Sequence, residues 1–309
     1  MDQRIDFTKL SGSGNDFICI DNRDGRLDGL LADEGAAGRL ARALCRRGLG
    51  VGADGVVFAL AAGDPSAADF AVRFFEPDGS EAELCGNGSA CFTRWVIEEG
   101  WLAGQEVRIE TPSGEARGRV GRDGYVQVCI PVPRELATDI EVEAEGRRWR
   151  MDYALTGVPH AVVYVDDVEG VDVARWGAAL RRHPRFGPRG VNVNFTQVLG
   201  EGRLAVRTFE FGVEGETLAC GTGSATAGLM AALRFGWPAS YLREGDPVRV
   251  RVRGGDTLRV YYLVHPDGAI ERVCLHTVVR YLYRGRLHPD LAARALAGAL
   301  ELEPAAAGA

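Results

Sequence analysis

Two stretches of this chain are nearly the same. Glu81–Ala90 reads EAELCGNGSA and Glu216–Ala225 reads ETLACGTGSA, so the pattern E-x-x-x-C-G-x-G-S-A occurs twice, with its cysteines 135 residues apart. The likeness extends upstream. Arg73–Glu76 is RFFE and Arg207–Glu210 is RTFE, and LCRRGLGVGADGVVF from Leu44 faces LRRHPRFGPRGVNVNF from Leu180. Three matches in one order, at offsets of 134 to 136 residues, point to an internal duplication, which constrains the fold more than any local propensity does. The expected organisation is an N-terminal domain over 1–118, a C-terminal domain over 119–271, and a strand at about 272–287 returning to the first domain. A helical extension and tail over 288–309 follow.

Within each half, alternating apolar stretches such as VRIET, YVQVCI, HAVVYVD and VRVRV predict strands. Apolar, alanine-rich runs over 90–98 and 225–235 predict helices that begin just after the Cys-Gly-x-Gly-Ser turns. The fold class is α/β, in two pseudo-symmetric domains. The last conventional strand is expected at Val278–Tyr283, and an amphipathic helix at His288–Leu302.

Composition narrows the function. The net charge is −7, and no basic cluster is interleaved with aromatics, which argues against nucleic acid. No apolar run approaches the roughly 20 residues of a membrane helix, and the first residues carry no apolar core of a signal peptide. The expectation is a cytoplasmic protein acting on a small molecule. Seven cysteines stand at 19, 45, 85, 91, 129, 220 and 274. Their odd number and lack of C-x-x-C spacing argue against a disulfide framework or a zinc site. Cys19, Cys45, Cys91, Cys129 and Cys274 read as filler. Among 36 basic residues the only lysine is Lys9, in the strand-like IDFTKL with no glycine-rich phosphate loop beside it. Pyridoxal chemistry on an amino-acid Cα needs a lysine Schiff base, so no cofactor is expected, nor a metal.

The two cysteine loops carry the chemistry. Glycines let the backbone turn and expose its amides, and the first N–H groups of a helix have no intrahelical partner. With the helix dipole they attract an anion such as a carboxylate. A cysteine at that position is expected to have its thiolate favoured. Two such loops suit removal of a Cα proton from one face and its return on the other. Glu81 and Glu216, four residues before each cysteine, read as structural, capping loop amides.

These residues closely resemble the diaminopimelate epimerase family. The motifs are SGSGNDF from Ser11, GVGADG from Gly50, DGSEAELCGNGSAC from Asp78, PHAVVYVDD from Pro159, GVNVNF from Gly190 and EGETLACGTGSA from Glu214. The resemblance implies two domains of alike fold, each a barrel-like sheet around a central helix. It implies a cofactor-independent two-base reaction with Cys85 and Cys220 as thiolate and thiol, and often a homodimer. Gly86, Asn87 and Gly88, with Gly221, Thr222 and Gly223, match the α-carboxylate cradle. His160 and Glu210 match catalytic residues beside the reacting centre. Asn15 and Asn192 match substrate-contacting asparagines.

Three positions depart from the family. It usually has Asn at Glu76, Asn at Val158 and Arg at Phe211, where they hold the distal end of diaminopimelate. A phenylalanine cannot clamp a carboxylate as arginine does. The sequence therefore suggests a substrate without a distal carboxylate. Glu76 and the aromatic face of Phe211 suit a basic or ring-bearing amino acid such as histidine, lysine, ornithine or arginine. The alternative is diaminopimelate epimerase proper with an atypical distal pocket. Proline racemases and phenazine-type isomerases share the two-domain fold, but the latter lack the cysteine pair. A non-catalytic amino-acid-binding protein and a thiol redox protein are the readings from other classes. Retention of both cysteines speaks against the first, and the missing C-x-x-C against the second.

Overall fold

The computed structural model describes residues 4–82 and 85–296. The chain divides into two compact units, one of Met1–Ser11, Asp16–Ala116 and Arg280–Ala309, the other of Gly12–Asn15 and Arg117–Val279.

The duplication reappears as topology. In the first unit the strand Asn15–Asp21 runs parallel to Gly55–Ala61, which pairs antiparallel with Phe70–Phe75. Phe70–Phe75 then takes the short strand Glu81–Ala82 antiparallel and Glu106–Thr111 parallel. The second unit repeats each step. Val158–Tyr164 runs parallel to Asn192–Gly200, which is antiparallel to Arg203–Glu210. That strand takes Gly215–Thr217 antiparallel and Val248–Val252 parallel. The registers also correspond. Phe17 sits opposite Gly55 where His160 sits opposite Asn192, and Val57 sits opposite Phe74 where Asn194 sits opposite Thr208.

Each sheet wraps a helix that starts at its cysteine loop: Gly86–Glu98 in the first unit and Gly221–Arg234 in the second. Eleven of the fourteen residues of Gly221–Arg234 are buried, as a helix apolar on all sides must be. The strands around it alternate accordingly. Val248–Val252 and Thr257–Val264 bury every second residue against it. The contact is close: a Cβ on Gly228 would lie 2.3 Å from the Tyr262 hydroxyl, which donates to the Ala225 carbonyl. In the first unit the outer sheet face is covered as well. Leu40, Ala41 and Leu44 of the helix Glu34–Cys45 pack on Ile18, Ile20, Val56 and Phe58. The strand Gly55–Ala61 is therefore buried almost throughout, as parallel neighbours covered on both faces are.

Several boundaries differ from expectation. Both central helices begin four residues early, because each cysteine side chain caps the helix that its glycines open. The expected strand Val278–Tyr283 is part of a 17-residue strand, Ile270–Arg286. It pairs with Tyr125–Ile130 in the second unit and passes into the first at Arg280. The C-terminal helix, Pro289–Leu296, is not merely solvated: Ala292 and Ala295 join the core beneath the helix Glu34–Cys45. The rest of the expected helix, to Leu302, and the tail lie outside the described residues. Cys129 and Cys274, expected as filler, form a disulfide. They stand directly opposite each other on antiparallel neighbours, with Cα atoms 4.0 Å apart, and sequence separation hid that register. Among the described residues no helix is long and apolar enough to cross a membrane.

Candidate active site

The two loops are built alike. Cys85 and Cys220 are the N-caps of their helices, both with extended backbone, and each sulfur accepts the N–H of the residue three ahead, Gly88 or Gly223, at 3.4 Å. First-turn amides such as those of Gly221 and Thr222 have no intrahelical acceptor, and that position favours an anion. A side chain at the third helical position would crowd its neighbours in both loops. A Cβ on Gly88 would lie 2.8 Å from the Phe74 ring, and one on Gly223 would lie 2.2 Å from Asn194 Oδ1.

Each loop is pinned by a repeated ion pair. Arg73 grips Glu81 through Nε and Nη2, and Arg207 grips Glu216 in the same way. The spare Nη1 of Arg207 donates to the Val168 and Val171 carbonyls, and that of Arg73 to the Leu31 carbonyl. Glu81 and Glu216 are structural, but they are held by the arginines of the duplicated R-x-F-E motif, where amide capping was expected.

Cys220 differs from the expectation of a favoured thiolate. It is 6 % exposed, and burial pushes its thiol well above the ordinary range. The Glu210 carboxylate, within hydrogen-bonding reach, pushes it further, while the Gly223 amide and the Thr222 hydroxyl pull the other way without prevailing. Glu210 itself accepts a hydrogen bond from the Thr217 hydroxyl. Cys85 is half-buried, and Cys91 is sealed in the core.

His160 is completely buried on the strand Val158–Tyr164. Desolvation lowers its pKa to about 3, so the ring is neutral. It reaches the cysteine loop through Thr222, with Nε2 3.0 Å from Thr222 Oγ1, which lies 3.7 Å from Cys220 Sγ. Behind it, Nδ1 meets the Asn194 amide at 3.3 Å. Asn192 is buried, and its Oδ1 accepts the Phe211 N–H at 2.9 Å, so it fixes the backbone beside Glu210.

The positions that depart from the family are placed as follows. Val158 opens its strand half-buried. Glu76 is half-buried past the end of Phe70–Phe75, where its N–H donates to the Ser80 carbonyl across the turn. Phe211 is half-buried and flanked by two guanidinium groups, Arg181 at 5.4 Å and Arg189 at 5.3 Å from the ring centre. Arg181 is bound to Glu214, whereas Arg189 is exposed and has no carboxylate partner among the described residues. Asn15 is half-buried at the start of its strand. Lys9 is 2 % exposed, its Nζ held by Asp16 at 2.7 Å and by the Gly52 carbonyl.

Sequence reasoning missed Asn194, Thr208, Thr217 and Arg189. The second Asn of GVNVNF and the Arg before it were available signals, since polar residues in an otherwise apolar strand need a partner. A cavity of about 580 Å³ in the first unit, lined by Phe7, Trp95, Trp101, Glu99, Arg284 and Arg286 among others, contains none of the expected site residues. No cluster able to hold a metal occurs among the described residues.

Known proteins carry the same pattern. The family model described as diaminopimelate epimerase matches residues 7–130 and 153–262. A diaminopimelate epimerase of Aquifex aeolicus is 39 % identical over 291 residues, covering 93 % of this chain and 99 % of the relative. One from Archaeoglobus fulgidus is 43 % identical over 264 residues, covering 82 % and 88 %. Among solved structures, a hydroxyproline epimerase from Agrobacterium vitis matches with a TM-score of 0.69 at 20 % identity, over 92 % of each chain. A phenazine biosynthesis protein of the PhzF family from Bacillus anthracis matches with a TM-score of 0.69 at 17 % identity, over 93 % of this chain and 99 % of its own. These two likenesses speak for the fold. Matched by the family model over most of its length and by relatives near 40 % identity, the chain belongs to the diaminopimelate epimerase family and is an isomerase of the racemase and epimerase class.

Proposed function

We propose that the protein epimerises diaminopimelate, or a close analogue with a second carboxylate, without a cofactor. The observation that carries this reading is Arg189. Its guanidinium stacks beside Phe211 with no carboxylate partner among the described residues. Phe211 follows Glu210, whose carboxylate acts on the Cys220 thiol. An exposed cation with no carboxylate partner among the described residues, stacked on the residue that follows Glu210, suits a substrate carrying a further anion. The same geometry weakens the case for a basic side chain, because the Phe211 face that would receive it already lies between two arginines. The family's named relatives support the same substrate.

In the proposed reaction the α-carboxylate docks on first-turn amides of a Cys-Gly-x-Gly loop. A thiolate, Cys85, takes the Cα proton, breaking that C–H bond. The Cys220 thiol delivers its proton to the opposite face, forming the new one, and the reverse reaction exchanges the roles. Gly223 N–H and the Thr222 hydroxyl then stabilise the Cys220 thiolate. No lysine Schiff base is needed, and the Nζ of Lys9 is already committed to Asp16 and the Gly52 carbonyl.

The test is Cα proton exchange in D2O under reducing conditions, followed by NMR for LL-diaminopimelate, histidine, lysine, ornithine, arginine and glutamate. Deuterium should enter diaminopimelate, and Cys85→Ser and Cys220→Ser should abolish it. Arg189→Ala should raise KM for diaminopimelate about 10- to 100-fold, the worth of a charge-assisted hydrogen bond. Exchange confined to histidine or lysine would overturn the proposal.

A further inference from the structure

The hydrogen bonds behind Cys220 have a direction, and one residue sets it. Asn194 is completely buried, and all its polar atoms are engaged: Oδ1 accepts from Thr208 Oγ1 at 3.0 Å, and Nδ2 faces the Ala161 carbonyl at 2.9 Å and His160 Nδ1 at 3.3 Å. A backbone carbonyl only accepts, so Nδ2 must be the amide nitrogen on that side, and its second N–H points at Nδ1. Nδ1 is then an acceptor. In a neutral ring the proton sits on Nε2, which donates to Thr222 Oγ1 at 3.0 Å. With its oxygen accepting from His160, the Thr222 hydroxyl keeps its own proton available to Cys220 Sγ, 3.7 Å away.

The first unit supplies an internal comparison. By register, Phe17, Val57 and Phe74 stand where the second unit has His160, Asn194 and Thr208. Asn87 stands at the place of Thr222 in the duplicated loop. Cys85 therefore caps the same turn with apolar residues at the three register positions that form the polar column beneath Cys220.

We propose that Asn194 is a positioning residue. It fixes the Nε2–H tautomer of His160 and so turns the Thr222 hydroxyl into a permanent donor to Cys220. The column stabilises the thiolate that forms each time Cys220 gives up its proton. This rests on the reading of Cys220 as an acid–base group, but not on the identity of the substrate.

Two measurements on the free protein test it. The first is 15N NMR of the wild-type histidines, which reports the tautomer directly: His160 should carry its proton on Nε2, and a proton on Nδ1 would overturn the proposal. The second is the pH midpoint for alkylation of Cys220 by iodoacetamide, read by peptide mass spectrometry. The titratable groups facing this thiol from its own unit are Glu210, unchanged throughout, and His160 behind Thr222. Thr222→Val should move the midpoint up by about one pH unit, a tenfold loss of thiolate at fixed pH, and Thr222→Ser should restore it. Asn194→Asp, which accepts from Nδ1 and so reverses the tautomer, should do the same as Thr222→Val. In the Thr222→Val background it should add nothing. A shift that persists there would reflect only the added charge, and no shift in either variant would leave Asn194 a packing residue; both results sink the proposal. Alkylation does not involve the substrate, so failure here is distinct from failure of the exchange assay.

Discussion

At the scale of single residues, burial holds His160 in its neutral form. His160 has no solvent exposure, and its folded pKa of about 3 lies far below the ordinary value near 6.5. A depressed value means that the folded state binds this proton less readily than the unfolded chain. Its contribution to stability is therefore complete above pH 6.5 and is lost as pH falls toward 3. At pH 4.5, two units below the unfolded value, the loss is about 3 kcal/mol. Other groups titrate over the same range, so the clean measurement is a difference. Urea unfolding of wild type and His160→Gln at pH 7 and pH 4.5 should show the wild type losing about 3 kcal/mol more than the variant. Equal losses would mean that the ring is hydrated and free to protonate.

At the scale of elements, the two Cys-Gly-x-Gly turns look interchangeable but tolerate change differently. Alanine at Gly88 would press on the ring of Phe74, which can shift by rotating. Alanine at Gly223 would press on Asn194, which is anchored to Thr208, Ala161 and His160 and cannot move without breaking buried hydrogen bonds. Gly223→Ala should cost about 1–3 kcal/mol, more than Gly88→Ala, and should lower exchange activity at least tenfold; paired melting curves and the D2O assay decide it. The turns themselves were legible in the sequence because duplication prints them twice, but the apolar runs put the helix starts four residues late, since the glycines already belong to the first helical turn. The floor beneath them was not. Asn194 and Val57 occupy the same register position, yet only the folded sheet reveals what each faces. Phe211 was legible as a departure, but its neighbour Arg189 comes from the turn before another strand, and no local pattern joins the two.

At the scale of the whole molecule, the duplication is complete in topology but not in covalent reinforcement. The Cys129–Cys274 disulfide closes a loop with a sequence separation of 145, nearly the whole second unit, and no disulfide occurs in the first among the described residues. It staples Tyr125–Ile130, near the start of the second unit, to the strand by which the chain leaves it. Closing so long a loop reduces the freedom of the unfolded chain, an effect worth about 2–4 kcal/mol. The first unit is held differently, by the helix Pro289–Leu296 docked on its outer core. Removing the disulfide with Cys129→Ala and Cys274→Ala together should therefore act on one unit. Amide hydrogen exchange should quicken in Val248–Val252 and Thr257–Val264, while Gly55–Ala61 and Glu106–Thr111 keep their protection. Equal quickening in both sets of strands would mean that the units unfold as one cooperative body. The strand Ile270–Arg286, shared by both units, would then be transmitting the loss from one to the other.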